Sequence, residues 1–146
     1  LPGVPEAMGA ALFHVATVDN TFGGGMSFTA YFVQERTDPH AGGDFDRFGS
    51  RPLNNQEVAA ITAALEGLGE VRWIPGLDDF WGSDDAPRVP GSVMLGVGDA
   101  AVDGDAIVVP VSLLCGSVCG TWRTYRVELV DGVARVTGSE GPIVIS

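Results

Sequence analysis

Patterning along the 146 residues points to one α+β domain over residues 1–146, a bent antiparallel β-meander with a helix packed on one face. Three observations carry that expectation. Asn54 and Glu57 form a capping box ahead of a helical stripe made by Val58, Ile61, Leu65 and Leu68. Asp103-Gly104 and Asp131-Gly132 each separate apolar runs, and Asp-Gly suits primed two-residue turns because glycine tolerates positive φ. Helices precede most of the strands, which is the order of an α+β chain and not of an alternating α/β one.

The elements follow in order. Glu6 to Val18 places Met8, Leu12 and Val15 on one face, so a first helix is expected there, stopped by Asn20 to Gly25. Ser27 to Gln34 holds Phe28, Tyr31, Phe32 and Val33 and reads as a strand. A polar loop, Asp38 to Pro52, leads to the capped helix over Asn55 to Leu68, with Leu53 as a staple on Val58 and Gly69 as the left-handed stop. Glu70 to Ile74 is a short strand, and Pro75 to Ser92 a second long loop. From Val93 the meander turns at Asp103-Gly104, at Gly116-Ser117-Val118 and at Asp131-Gly132, and Ile143 to Ile145 is a last strand. In that register Ile107, Val109, Val111 and Leu113 share a face with Tyr125, Val127 and Leu129, and Glu128 lies opposite Arg135. Met94, Gly96 and Gly98 are expected on the same face, with the second helix packed against those glycines.

Composition bounds the function. With 45% hydrophobic and 18% charged residues the chain can bury a core. Its net charge of −11 repels phosphate backbones, so nucleic acid is excluded as an expected partner. All eight basic residues are Arg, which removes Schiff-base chemistry and the P-loop lysine. No membrane span is expected, because the longest apolar run, Ala106 to Cys115, is broken by Pro110 and Ser112. The chain opens at Leu1 in a Pro/Gly stretch, and removal of a longer N-terminal segment, a signal peptide or a trimmed piece, is expected.

Cys115 and Cys119 flank a three-residue reversal and face each other, so a disulfide is expected, with two reduced thiols or a metal or redox pair as the alternatives. Zinc would require both cysteines together with His14 and His40. The run Asp78 to Asp85 mixes carboxylates with Phe80 and Trp81; it suits a cation or a sugar stacked on Trp81, or equally a loop anchored by its two rings. Asp38, His40, Asp44 and Asp46 are metal-capable in kind but generic in spacing, and no metal is expected. His14 with Asp19 lacks a nucleophile motif, and Gly23-Gly24-Gly25 precedes a strand and not a helix, so no catalytic residue and no cofactor are assigned.

The segment from Cys115-Gly-Ser-Val-Cys119-Gly through Tyr125, Asp131-Gly132 and Val136 resembles a C-terminal pattern of uncharacterised bacterial proteins: C-G-x-x-C-G, a Tyr-containing strand, a D-G turn and a W-x-V strand. Here Val133-Ala134 stand where an aromatic often follows the turn. The order of helix and bent sheet is similar to that of the cystatin and ketosteroid-isomerase-like folds, a likeness that carries no function.

Two functions compete. The first is a non-enzymatic, extracytoplasmic binding or protein-interaction domain taking an unknown protein or small molecule. The second is a small-molecule-binding cone or enzyme with a carboxylate on its inward face. Chain direction is expected to bring both long loops and the Cys hairpin to one rim, where Phe45, Asp46, Phe48, Asp79, Trp81, Asp84 and Trp122 form the candidate binding surface.

Overall fold

The computed structural model describes residues 3–20, 27–83 and 85–146. Helices α1 (Val4–Thr17) and α2 (Asn55–Leu65) lie on one side of an eight-stranded mixed sheet. Its strands are β1 (Ala30–Gln34), β2 (Glu70–Ile74), β3 (Val93–Val97), β4 (Ala101–Asp103), β5 (Ala106–Gly116), β6 (Cys119–Val130), β7 (Val133–Ser139) and β8 (Val144–Ile145). Hydrogen bonding orders the main path β2-β1-β3-β5-β6-β7, with β4 paired to β5 and β8 to β6.

The capping box forms as the spacing requires. Asn54 Oδ1 accepts from the Glu57 N–H at 2.8 Å, and Glu57 Oε1 accepts from the Asn54 N–H at 2.8 Å. The hairpin at Asp131-Gly132 has positive φ at both residues, 53° and 78°, as a primed turn demands. At the other Asp-Gly the two-residue turn is Gly104-Asp105, one residue later than the reading, because Asp103 still pairs with Ala106. The third reversal is tighter too: Gly116 pairs with Cys119, and a bulge after Leu114 absorbs Cys115.

Three further expectations are corrected. The antiparallel meander holds from β3 to β7, but β2 and β3 both pair with β1 in parallel, so the sheet is mixed. A parallel neighbour needs a crossover, and α2 supplies it between β1 and β2. β3 then has to start at the end where β1 starts, so loop 75–92 runs the length of the sheet.

Second, Val93, Leu95 and Val97 face the helices, while Met94 and Gly96 face away. The continuous strand expected over 93–102 breaks after Val97: β3 pairs with β5 in the register Val97–Val111, β4 in the register Ala101–Val108. That offset is one residue, and a one-residue slip exchanges the two faces. Third, the helix on the sheet is α1, whose Met8, Leu12 and Val15 are fully buried against β3, β5 and β6 residues. α2 stacks on α1, where Gly9 admits the Ala60 carbonyl so closely that a Cβ would stand 2.9 Å from it.

The reverse face of the sheet is covered by the two long loops. Phe80 of loop 75–92 packs with Ala30, Phe32, Ile74 and Met94 in a second small core. Loop 38–52 lies over β5 and β6, Gly42 against Pro110 and Thr124, Gly43 against Val144 and Trp122.

Candidate functional site

The parallel sheet changes where the expected rim residues stand. α2 begins where β1 ends, since the Leu53 N–H donates to the Glu35 carbonyl, whereas the Cys hairpin lies beyond the paired Met94 and Leu114, toward the opposite end. Both long loops leave the sheet at the end where α2 starts, as chain direction requires, but the Cys hairpin does not join them there. Loop 38–52 nonetheless reaches Trp122 by folding back across the sheet: Phe45 meets the indole edge-on at 5.5 Å and His40 at 5.8 Å.

Trp81 stands elsewhere, over β1 and β3, edge-on to Phe80 at 5.1 Å. Arg88 holds that loop shut, Nε donating to the Trp81 carbonyl at 2.7 Å and Nη2 to the Asp78 carbonyl at 2.9 Å. Phe80 and Trp81 thus anchor loop 75–92, the alternative the sequence left open. Asp79 is exposed beside them, and Asp84 and the Gly23-Gly24-Gly25 run lie outside the described residues.

Phe45, Asp46 and Phe48 sit on the loop that follows β1, and that loop is fixed from both sides. Its first residue is tied to the sheet: the Asp38 N–H donates to the Val97 carbonyl at 2.9 Å, and Ser112 Oγ donates to Asp38 Oδ2 at 2.6 Å. Its far end returns to the same place. The Thr37 N–H donates to the Arg51 carbonyl at 2.8 Å, Ser50 Oγ to the Thr37 carbonyl at 2.7 Å, and Arg36 Nη2 to the Ser50 carbonyl at 2.8 Å. Held this way, Phe48 is 85% exposed and Phe45 49%.

Beside Phe48 the loop and the β3–β4 connection enclose a cleft of about 420 Å³, lined among others by Thr37, Asp38, Arg47, Ser50 and Asp99. A smaller hollow shares Arg47, Asp99 and Pro110 with it. Arg51 braces the cleft from behind, giving Glu57 two hydrogen bonds of 2.8 and 2.9 Å and Asp99 one of 2.8 Å. These bonds, against the opposing effect of burial, hold the Glu57 carboxyl below its ordinary range and raise the Arg51 guanidinium, so both stay charged.

The cleft's chemistry is that of holding. Both oxygens of Asp38 are engaged, one by Ser112 and one by the His40 N–H at 2.9 Å, and Asp99 is engaged by Arg51. Arg47 makes no ion pair among the described residues and is the one charged group of the lining left to a ligand. The sequence reading missed Thr37, Ser50 and Asp99. A signal existed in Ser112, a hydroxyl inside an otherwise apolar strand, which is buried because it carries Asp38.

A second polar cluster lies where α1 ends. Asp19 Oδ2 accepts from the Tyr125 hydroxyl at 2.8 Å and stands 3.4 Å from His14 Nε2 and 3.9 Å from Arg123. Burial, and then Asp19, push the phenol well above its usual range, so it remains a donor. The hollow here is about 240 Å³ and is lined by His14, Asp19, Tyr125 and Ser139 among others.

Cys115 and Cys119 form a disulfide with Cα atoms 5.1 Å apart. Among the described residues no group of three His, Cys, Asp or Glu side chains is placed to hold a metal, and no helix is long and apolar enough to cross a membrane. No protein-family model matches the chain, no curated protein matches it, and no solved structure matches it.

Proposed function

We propose that the chain is a non-enzymatic, extracytoplasmic binding domain that recognises its ligand or partner protein with loop 38–52. The observation that carries this reading is Phe48, 85% exposed on a loop whose backbone is pinned on both sides and set beside a polar cleft. Exposed aromatic rings beside polar groups are what recognition surfaces use, and a pinned loop loses little entropy on binding. Phe45 and Trp122 continue the same surface, with Asp46 next to Phe45 in the chain, whereas Trp81 and Asp79 belong to loop 75–92 and stand apart from it. The disulfide supports an oxidising compartment.

The cone-like alternative requires an enclosed cavity with a free carboxylate. The helix side of the sheet is filled by Leu12, Val15, Val109, Val111 and Leu113, and Asp19 at its margin already accepts from Tyr125. A hollow of about 240 Å³ also falls below the roughly 300 to 1,000 Å³ of small-molecule sites. Both features favour the loop surface.

The test places the photo-crosslinking residue benzoylphenylalanine at Phe48 and, separately, at Asp105 of the remote β4–β5 turn in producing cells, read by intact mass. The expected result is one discrete added mass at position 48 and none at 105. Equal adducts at both positions, or none at 48, would refute the assignment.

A further inference from the structure

β7 is the last strand of the sheet, and among the described residues nothing pairs with its outer edge. Val130 and Val133 close a two-residue primed turn and exchange hydrogen bonds, so alternation along the ladder turns the N–H and C=O of Ala134 and Val136 to that free edge. Unpaired edges template the addition of another strand, and proteins ordinarily guard them with charge. β2, the opposite edge, is guarded by Glu70 and Arg72, paired at 2.9 Å. β7 carries one charge, Arg135, which is exposed and makes no ion pair although Glu128 lies across from it in register.

Beside this edge runs a groove of about 710 Å³ between α1, α2 and β7, walled by Ala10, Ala60, Ala64 and Val136, flanked by Phe13 and Val133, 42% and 53% exposed, and bordered also by Glu6, His14 and Arg135. The alanines leave room for side chains of Val or Ile size. Backbone groups, groove and cation thus face one occupant together, and only an extended chain meets all three.

We propose that the β7 edge is a docking site for an extended segment of a partner protein in which apolar residues alternate with a carboxylate. The segment adds as a further strand on Ala134 and Val136, its apolar side chains enter the alanine-walled groove, and its carboxylate, on the other face, meets Arg135. Alternation makes these requirements consistent: Ala134 and Val136 pack on the helix-side core, so the side chain of Arg135 between them turns to the other face of the strand although the residue also borders the groove. This surface is separate from loop 38–52 and does not depend on the function assigned to it.

The probe is a blocked heptapeptide, Val-Thr-Val-Glu-Val-Thr-Val, with versions carrying Lys or Gln at the centre and one with alternate amides N-methylated. Titrated into the isotope-labelled chain up to about 1 mM, the Glu peptide is expected to shift the amides of Ala134, Val136 and Phe13, and to bind about tenfold tighter than the Lys peptide. Arg135→Glu inverts that preference, and N-methylation abolishes binding while leaving every side chain in place. Absence of binding by all the peptides, shifts centred elsewhere, equal affinity for Glu and Lys, or retained binding after N-methylation would each overturn the proposal. So would sedimentation showing that a second copy of the chain already occupies the edge.

Discussion

Replacing Glu57 by Ala removes more than a surface charge. The side chain is 3% exposed, gives two oxygens to Arg51, and closes the capping box on the Asn54 N–H, so three hydrogen bonds vanish at one position. A lost cap costs about 1 kcal/mol, and hydrogen bonds to charged groups about 1.5 to 3 kcal/mol. Against this, Arg51 is 42% exposed and keeps Asp99, so its cation is not stranded and the roughly 3 to 5 kcal/mol of a broken fully buried pair does not apply. The expected loss is about 2 to 3 kcal/mol, which for a chain of this length lowers Tm by about 5 to 10 °C. Urea unfolding of Glu57→Ala and Asp99→Ala at pH 7 checks it. Asp99 is exposed, and its loss is expected to cost under about 1 kcal/mol. Because the folded carboxyl of Glu57 titrates below its unfolded value, its contribution is complete above about pH 4.3 and fades as the pH falls through the folded value. The gap between wild type and Glu57→Gln should therefore close in acid. Equal costs for the two Ala variants, or a gap that widens in acid, would refute the reasoning.

Other outcomes follow from close contacts. Gly96→Ala builds a Cβ 2.6 Å from Ser112 Oγ, 2.8 Å from Gln34 Nε2 and 2.9 Å from Asp38 Oδ2, so it should cost about 1 to 3 kcal/mol and blur the amide signals of Asp38 and Ser112. Tyr125→Phe takes the hydroxyl from Asp19 and should lower stability by about 1 to 2 kcal/mol, read by denaturant unfolding, without altering signals of loop 38–52. Opening the disulfide with Cys119→Ser frees a five-residue loop, for which chain entropy gives about 2 kcal/mol; Tm should fall while far-ultraviolet circular dichroism stays unchanged.

Elements governed by local chemistry were legible in the sequence. The box at Asn54, the φ of Gly132 and the cysteine hairpin need only neighbours a few residues away, and each forms as its residues require. What failed depends on long-range choices. Nothing local in Ala30–Gln34 or Val93–Val97 distinguishes parallel from antiparallel pairing, and the parallel β1–β3 choice carries the Cys hairpin away from the start of α2. The break at 98–100 is hidden likewise, since the Gly98 N–H donates to the Pro110 carbonyl across the sheet, and the slip it permits exchanges Met94 with Leu95. Of the candidate surface, chain direction groups Phe45, Trp81 and Trp122 together; Phe45 does meet Trp122, but because loop 38–52 folds back over the sheet, while Trp81 packs on Phe80 instead. Thr37, Ser50 and Asp99 went unseen because their roles exist only once loop 38–52 has folded back on β5.

The central claim is that recognition belongs to loop 38–52 and not to the hollow at Asp19. Amide shifts of the labelled chain, followed while phenol, benzoate and methyl glucoside are titrated in turn, test it most directly. Recognition by the loop predicts shifts clustered at Thr37, Phe48, Ser50 and Asp99, abolished by Phe48→Ser in a variant that unfolds at the wild-type temperature. Shifts centred on His14, Tyr125 and Ser139, or unchanged in Phe48→Ser, would contradict it.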